Sequence, residues 1–211
     1  GWRPEPASEE SGISGLDIEP REMIKLPQFW MLWGMFILSA VCGLMTIGAY
    51  SSFAESAAYV INNVDFLVLV GSLAALFNGL GRIVWGKLSD IITYKKSLVI
   101  MLLVQGVLMI SYFFTSASQA IFLIWTCSIY FCFGGNFSMF PTATNDLFGA
   151  KNLGGNYGLV FTSYGIAGFL GATMVNTFVL LLGGYITLFI TMGIMSLAAA
   201  VIGFVLKPPK A

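Results

Sequence analysis

Six apolar stretches follow one another along the chain, at about 28–54, 65–88, 97–116, 119–141, 156–182 and 184–206. A helix needs about 20 mostly apolar residues to cross the hydrocarbon core of a bilayer, and every stretch reaches that length. The breaks between them are polar or carry Gly: ESAAYVINN, SDIITYKK, SASQ, TATNDLFGAKNLGG and LGG, with KPPKA after the last. Within a stretch the apolar residues run on instead of alternating, unlike the strands of a membrane barrel. Only helices and closed barrels satisfy their backbone in lipid, so the pattern predicts six transmembrane helices. Residues 1–27 are polar, with prolines at 4, 6, 20 and 27, and are expected to form a linker in a longer protein. No charged segment leading into a short apolar run, the pattern of a signal peptide, precedes the first span.

Composition agrees with the pattern. Of 211 residues 57% are apolar and 9% charged, and mean hydropathy is +0.86. A soluble domain carries about a quarter charged residues, so this is the composition of an integral, multi-pass membrane protein. Net charge is zero, which gives no electrostatic case for nucleic acid as a partner. Cys42, Cys127 and Cys132 lie in apolar runs, and the chain has no histidine, so no metal site and no cofactor are expected. The other charges give direction. Arg3, Arg21, Lys25, Lys87, Lys95, Lys96, Lys151, Lys207 and Lys210 all fall on one face of six alternating spans. The opposite loops hold only Glu55 and Asp65. That asymmetry predicts both termini in the cytoplasm, with the cell or plasma membrane as the setting.

Arg82 is the remaining basic residue, and it stands inside the second span, in FNGLGRIVWGKLSD (77–90). It precedes the boundary residue Asp90 by eight positions, about 12 Å along a helix, which puts it near mid-depth. A guanidinium there costs about 3 kcal/mol on insertion scales. It either reaches the headgroups, pairs with a carboxylate elsewhere, or lines a water-filled cavity and meets an anionic ligand. Three features favour the cavity: Asn78, at i−4, can hydrogen-bond but not neutralise it; no Asp or Glu stands in the interior of a span; and Gly79 and Gly81 leave room beside it. Proton-driven carriers keep a titratable group in the membrane, whereas exchange of one anion for another needs none. An anion channel subunit, with Arg82 in a selectivity ring, and a non-transporting scaffold or sensor are the alternatives from other classes. No paired carboxylates, His/Cys clusters or nucleophile–base arrangements point to an enzyme.

GKLSD followed by YKK, Gly86–Asp90 and Tyr94–Lys96, resembles the loop motif of the major facilitator superfamily. Ile91 stands where a basic residue is common, Thr93 where Gly is common and Tyr94 where Arg is common. LPQFWMLW (26–33), FNGLGRIVWGKLSD (77–90), FGGNFSMFPTATNDLFG (133–149) and NYGLVFTSYGIAGFLG (156–171) resemble the oxalate/formate antiporter family, in order and over nearly the whole chain. The resemblance implies an all-α membrane protein in which 28–206 form the C-terminal six-helix half, a 3+3 inverted repeat, of a twelve-helix carrier. Residues 1–27 would then close its central cytoplasmic loop and 207–211 form a cytoplasmic tail. Its partners would be the lipid bilayer, the N-terminal six-helix half and a small organic anion.

The same resemblance makes Arg82 a cavity residue and Gly86, Asp90, Lys95 and Lys96 a gating loop in which the Asp acts as a latch. Oxalate-moving members carry a lysine eight residues after the Asn of NYG, and that position here is Tyr164. One cation instead of two fits a monocarboxylate of formate, lactate or pyruvate size better than a dianion, with the Tyr164 hydroxyl as a donor. Phe133, Phe137 and Phe161 map to aromatic walls, although packing or lipid contact is the ordinary role of a membrane Phe. Asn136 is either a polar contact or a helix-packing amide. Small residues at Gly154, Gly158, Gly165, Gly168 and Gly171 suit helices that slide, and equally suit static packing. Pro141 is expected to end or kink its helix, and Trp30 and Trp33 to anchor the interface.

Overall fold

The structure, a computed structural model, describes residues 16–56 and 64–209, with Asn176 described by its backbone alone. Arg3, Lys210, residues 1–15 of the expected linker and 57–63 of the first loop lie outside the described residues. A one-turn helix α1 (Pro20–Met23) leads into α2 (Pro27–Glu55), whose first residue is a proline with no N–H to leave unpaired. Then follow α3 (Val64–Ile92), α4 (Tyr94–Tyr112) with a 3₁₀ extension (Phe113–Ala117), α5 (Gln119–Phe148), α6 (Leu153–Leu181) and α7 (Gly184–Val205). Among the described residues six helices are long and apolar enough to span a membrane. Chain reversals use backbone that side chains tolerate poorly: Gly149 lies at φ +93°, Gly183 at +100° and Gly184 at +80°.

The helix ends depart from the sequence expectation in two places. The third span begins at Tyr94, directly after a single non-helical residue, Thr93. The fourth runs straight through Pro141 to Phe148. Pro141 removes the backbone hydrogen bond to the Phe137 carbonyl a turn earlier, and the helix continues past it, with hydroxyls on either side bonded to neighbouring carbonyls. Ser138 Oγ donates to the Gly135 carbonyl, Thr142 Oγ1 to Ser138 and Thr144 Oγ1 to Phe140, at 2.7–3.1 Å. Asp146 consequently sits half-buried in the last turn of α5 and not in a loop.

The principal pairings among the described residues are α3 on α5, α4 on α7, α2 on α6, α2 on α7, α4 on α5, α2 on α5, α3 on α4, α5 on α6 and α6 on α7. Exchanging α2 with α5, α3 with α6 and α4 with α7 returns all of these pairings except α5 on α6, whose counterpart α2 on α3 is not among them. Successive spans alternate in direction, so the second triplet runs opposite to the first, the 3+3 inverted repeat that the sequence resemblance implies. The ends confirm the alternation. Ile18, just before α2, donates its N–H to the Phe148 carbonyl at the end of α5 (2.9 Å), and Asn156 Nδ2 on α6 reaches the Ile18 carbonyl (3.0 Å). Lys95, in the first turn of α4, reaches the Leu206 carbonyl just past α7 (2.6 Å). Arg21, Lys25, Lys87, Lys95, Lys96, Lys151 and Lys207 are thereby gathered at one end of the bundle.

Close packing holds the interior. Phe36 of α2 stacks on Phe140 of α5 at 4.1 Å. Where α3 crosses α5, Gly81 lies against the Phe131 carbonyl and Gly134 against the Asn78 carbonyl, so the two backbones touch. That contact fixes the height and rotation of the helix carrying Arg82.

Candidate functional site

Beside the α3–α5 crossing an open recess of about 260 Å³ receives side chains from four helices. Ile47 comes from α2, Asn78 and Arg82 from α3, Tyr130, Phe133 and Phe137 from α5, and Tyr164 from α6. The Arg82 guanidinium carbon lies 4.5 Å from the centre of the Phe137 ring, a cation–π contact. Its Nη2 donates to Asn78 Oδ1 at 3.4 Å, and Asn78 Nδ2 donates to the Tyr130 carbonyl at 3.4 Å. Asn78 therefore orients the arginine without neutralising it. Among the described residues the one ion pair, Lys25 with Glu22, is at the basic end of the bundle, and Arg82 pairs with no carboxylate.

Aromatic rings wall the charge. Phe137 lies 5.5 Å from Phe133 and 5.4 Å from Tyr164, both edge-on. Phe161 stacks on Tyr164 at 5.2 Å and backs it from outside the recess. The structure thus brings Arg82, Asn78, Phe133, Phe137 and Tyr164 together, with Phe161 one ring behind. A cation on an apolar aromatic floor, beside an amide and a phenol, can bind a carboxylate through charge and hydrogen bonds while the rings strip its water.

Other residues singled out in the sequence lie elsewhere. Asn136 is fully buried between helices, 2.8 Å from Ser39 Oγ, which also lies 2.9 Å from Gln105 Oε1. It follows Gly135 and precedes Phe137, but a one-residue step turns it about 100° away from the recess. The loop motif is at the basic end. There Ser89 donates to the Gly86 carbonyl (2.6 Å), Asp90 is exposed with no ion pair among the described residues, and Lys96 is exposed. Lys95 instead caps α7, its Nζ donating to the carbonyls of Phe204 (2.9 Å) and Leu206 (2.6 Å). Trp30 is exposed and donates to the Ile24 carbonyl, as an interfacial anchor would. Trp33 does more, since its Nε1 bonds Thr162 Oγ1 (3.0 Å) and ties α2 to α6.

Two tyrosines were not anticipated. Tyr130 lines the recess, one and two turns before Phe133 and Phe137 on the same face of α5. Tyr157 stands one turn before Phe161, its ring 5.6 Å from that of Phe161. The i, i+3/i+4 spacing of these rings was the available signal.

Comparison with known proteins adds what geometry alone does not. A family model described as Major Facilitator Superfamily matches residues 35–211. The Oxalate:formate antiporter of Oxalobacter formigenes is 28% identical over 92% of this chain and 46% of its own length. The uncharacterized MFS-type transporter YhjX of Escherichia coli is 32% identical over 74% of this chain and 38% of its own. Apicoplast pyruvate carrier 1 of Toxoplasma gondii is 32% identical over 64% of this chain and 25% of its own. The chain spans less than half the length of each of these relatives.

Proposed function

The chain belongs to the Major Facilitator Superfamily, and from that premise we propose that it is one six-helix half of a carrier for a small monocarboxylate, working by alternating access. The observation that carries the reading is Arg82, held over Phe137 with no carboxylate paired to it among the described residues. A cation at mid-depth in a membrane, left without a counter-charge, is costly, and an anionic substrate supplies one. The second half of the carrier would close the recess from the open side, where α3 and α6 are mostly exposed.

The names of the relatives agree in kind: one is an antiporter of oxalate and formate, another a carrier of pyruvate. Within that range the recess favours a single negative charge. Among the described residues Arg82 is the one cation lining it, and Tyr164 offers a hydroxyl where a second cation would be needed to hold a dianion. Exchange of one anion for another fits better than proton symport, because no Asp or Glu among the described residues lines the recess. The basic end of the bundle is assigned to the cytoplasm on the bias of Lys and Arg, which places both termini there, and the cell or plasma membrane is the expected setting.

The test is counterflow in proteoliposomes holding the full-length protein. Labelled formate or lactate is expected to exchange faster than oxalate, and Arg82→Ala to slow that exchange roughly tenfold or more, the worth of a lost charged hydrogen bond. Faster exchange of oxalate than of any monoanion would overturn the substrate class. Undiminished exchange in a well-inserted Arg82→Ala protein would overturn the site.

A further inference from the structure

A second recess of about 460 Å³, sharing no lining residue with the Arg82 recess, opens between the start of α4 and the end of α7. Lys95 and Lys96 stand at its rim, and Val99, Ile100, Leu103 and Phe204 form its floor. The two lysines are not equivalent. Lys95 is committed to the terminal carbonyls of α7. Lys96 is exposed, and among the described residues it has no partner and no acidic side chain lines the recess with it.

Position supplies the rest. Lys96 lies at the boundary of its span, at headgroup depth, and Leu103 is seven residues further in, about 10 Å along the helix. Ile100, Leu103 and Phe204 are all exposed to the surroundings of the bundle, which for these helices are lipid. The recess is therefore cationic at the rim and apolar below it, over the length of a headgroup and the first part of an acyl chain. A soluble anion would leave the floor uncovered, and a zwitterionic lipid brings its own cation to compete with Lys96. The neighbouring recess on the other side of α7, about 640 Å³ and walled by Trp30, Met31 and Val201 among others, carries no charged side chain and has no means of choosing a headgroup.

We propose that the α4–α7 recess seats an anionic phospholipid, its phosphate on Lys96 and one acyl chain along Val99, Ile100, Leu103 and Phe204. Cationic pockets between helices at the membrane surface recognise such headgroups by charge, and the bound lipid would brace α4 against α7. Neither helix supplies a side chain to the Arg82 recess, so this inference stands or falls separately from the transport reading.

The full-length protein in mild detergent, titrated with phosphatidylglycerol and with phosphatidylcholine under native mass spectrometry, tests it. Phosphatidylglycerol is expected to bind about fivefold more tightly, the effect of one lysine near the surface. Lys96→Gln should abolish that preference and Lys96→Arg keep it, while Ile100→Ser should weaken both lipids. Equal binding of the two lipids by the unaltered protein overturns the proposal, and does so even where a variant fails to fold. An unchanged preference in Lys96→Gln overturns it as well. So does displacement of phosphatidylglycerol by excess inorganic phosphate, which would mark a plain anion site.

Discussion

At the scale of single residues, the recess separates charge from what orients it. Arg82 provides the cation, Phe137 the surface it lies on and Asn78 the hydrogen bond that aims it. On the proposed reading, Tyr164 decides how many negative charges the recess can balance. Replacing it with lysine puts a second cation beside the first, on a side chain that is half-buried and faces the same space. Opposite charges a few ångströms apart at the surface of a protein attract by a few kcal/mol, most of it spent on desolvation. Tyr164→Lys is therefore expected to raise exchange of oxalate relative to lactate about tenfold in the same proteoliposomes. A ratio that stays put would show that Tyr164 does not set the charge of the substrate. Arg82 and Asn78 were legible in the sequence because a charge inside an apolar run needs an explanation and its i−4 neighbour is fixed by helix geometry. Asn136 was not, since a polar residue in a span says nothing of its direction until the α5 rotation is set by Gly134 against Asn78.

At the scale of the elements, the turn between α3 and α4 carries a local conflict. Thr93 has φ +89°, a left-handed value that glycine adopts freely and a β-branched residue does not. The turn demands it. The Thr93 N–H still bonds the Ser89 carbonyl (3.0 Å), and its own carbonyl receives the Ser97 N–H (3.1 Å), so one residue both ends α3 and starts α4. This is also the position where the loop motif ordinarily has Gly. Thr93→Gly is expected to stabilise the protein by about 1 kcal/mol, read as a higher melting temperature in detergent. A lower one would mean that the Thr93 side chain has a supporting contact that outweighs the strain. Hydropathy gave six spans of the right order because length and apolarity are properties of each segment alone. It placed the ends less well, because α5 continues past Pro141 with Phe140, Ala143 and Leu147 buried in the bundle, and α4 starts three residues early with Tyr94 buried against its neighbours. The capping of α7 by Lys95 was invisible for the same reason, since it joins residues more than a hundred positions apart.

At the scale of the whole molecule, the glycines fall into two groups that the sequence could not tell apart. Gly81, Gly134, Gly106 and Gly193 each lie against the backbone or side chain of a neighbouring helix and hold the six-helix bundle together. Gly154, Gly158, Gly165 and Gly168 have nothing near the place where a side chain would begin. At 3.6 residues per turn these four share one stripe of α6, and Phe161, behind Tyr164, lies on it too. Only 12% of the spanning part of α6 is buried and 17% of that of α3, against 44% to 56% for the other four helices. The two exposed helices are those on either side of the recess. A stripe unused within the bundle, running beside the Arg82 recess, is what the proposed second half would need in order to approach and slide. Gly165→Leu is accordingly expected to leave membrane insertion and melting temperature of the full-length protein unchanged while cutting counterflow severely. Gly134→Leu, on the inner set, should instead prevent folding, because it pushes into the Asn78 backbone. Normal counterflow by Gly165→Leu would mean that the stripe faces lipid throughout the cycle, and the closing surface would then have to be sought on α3.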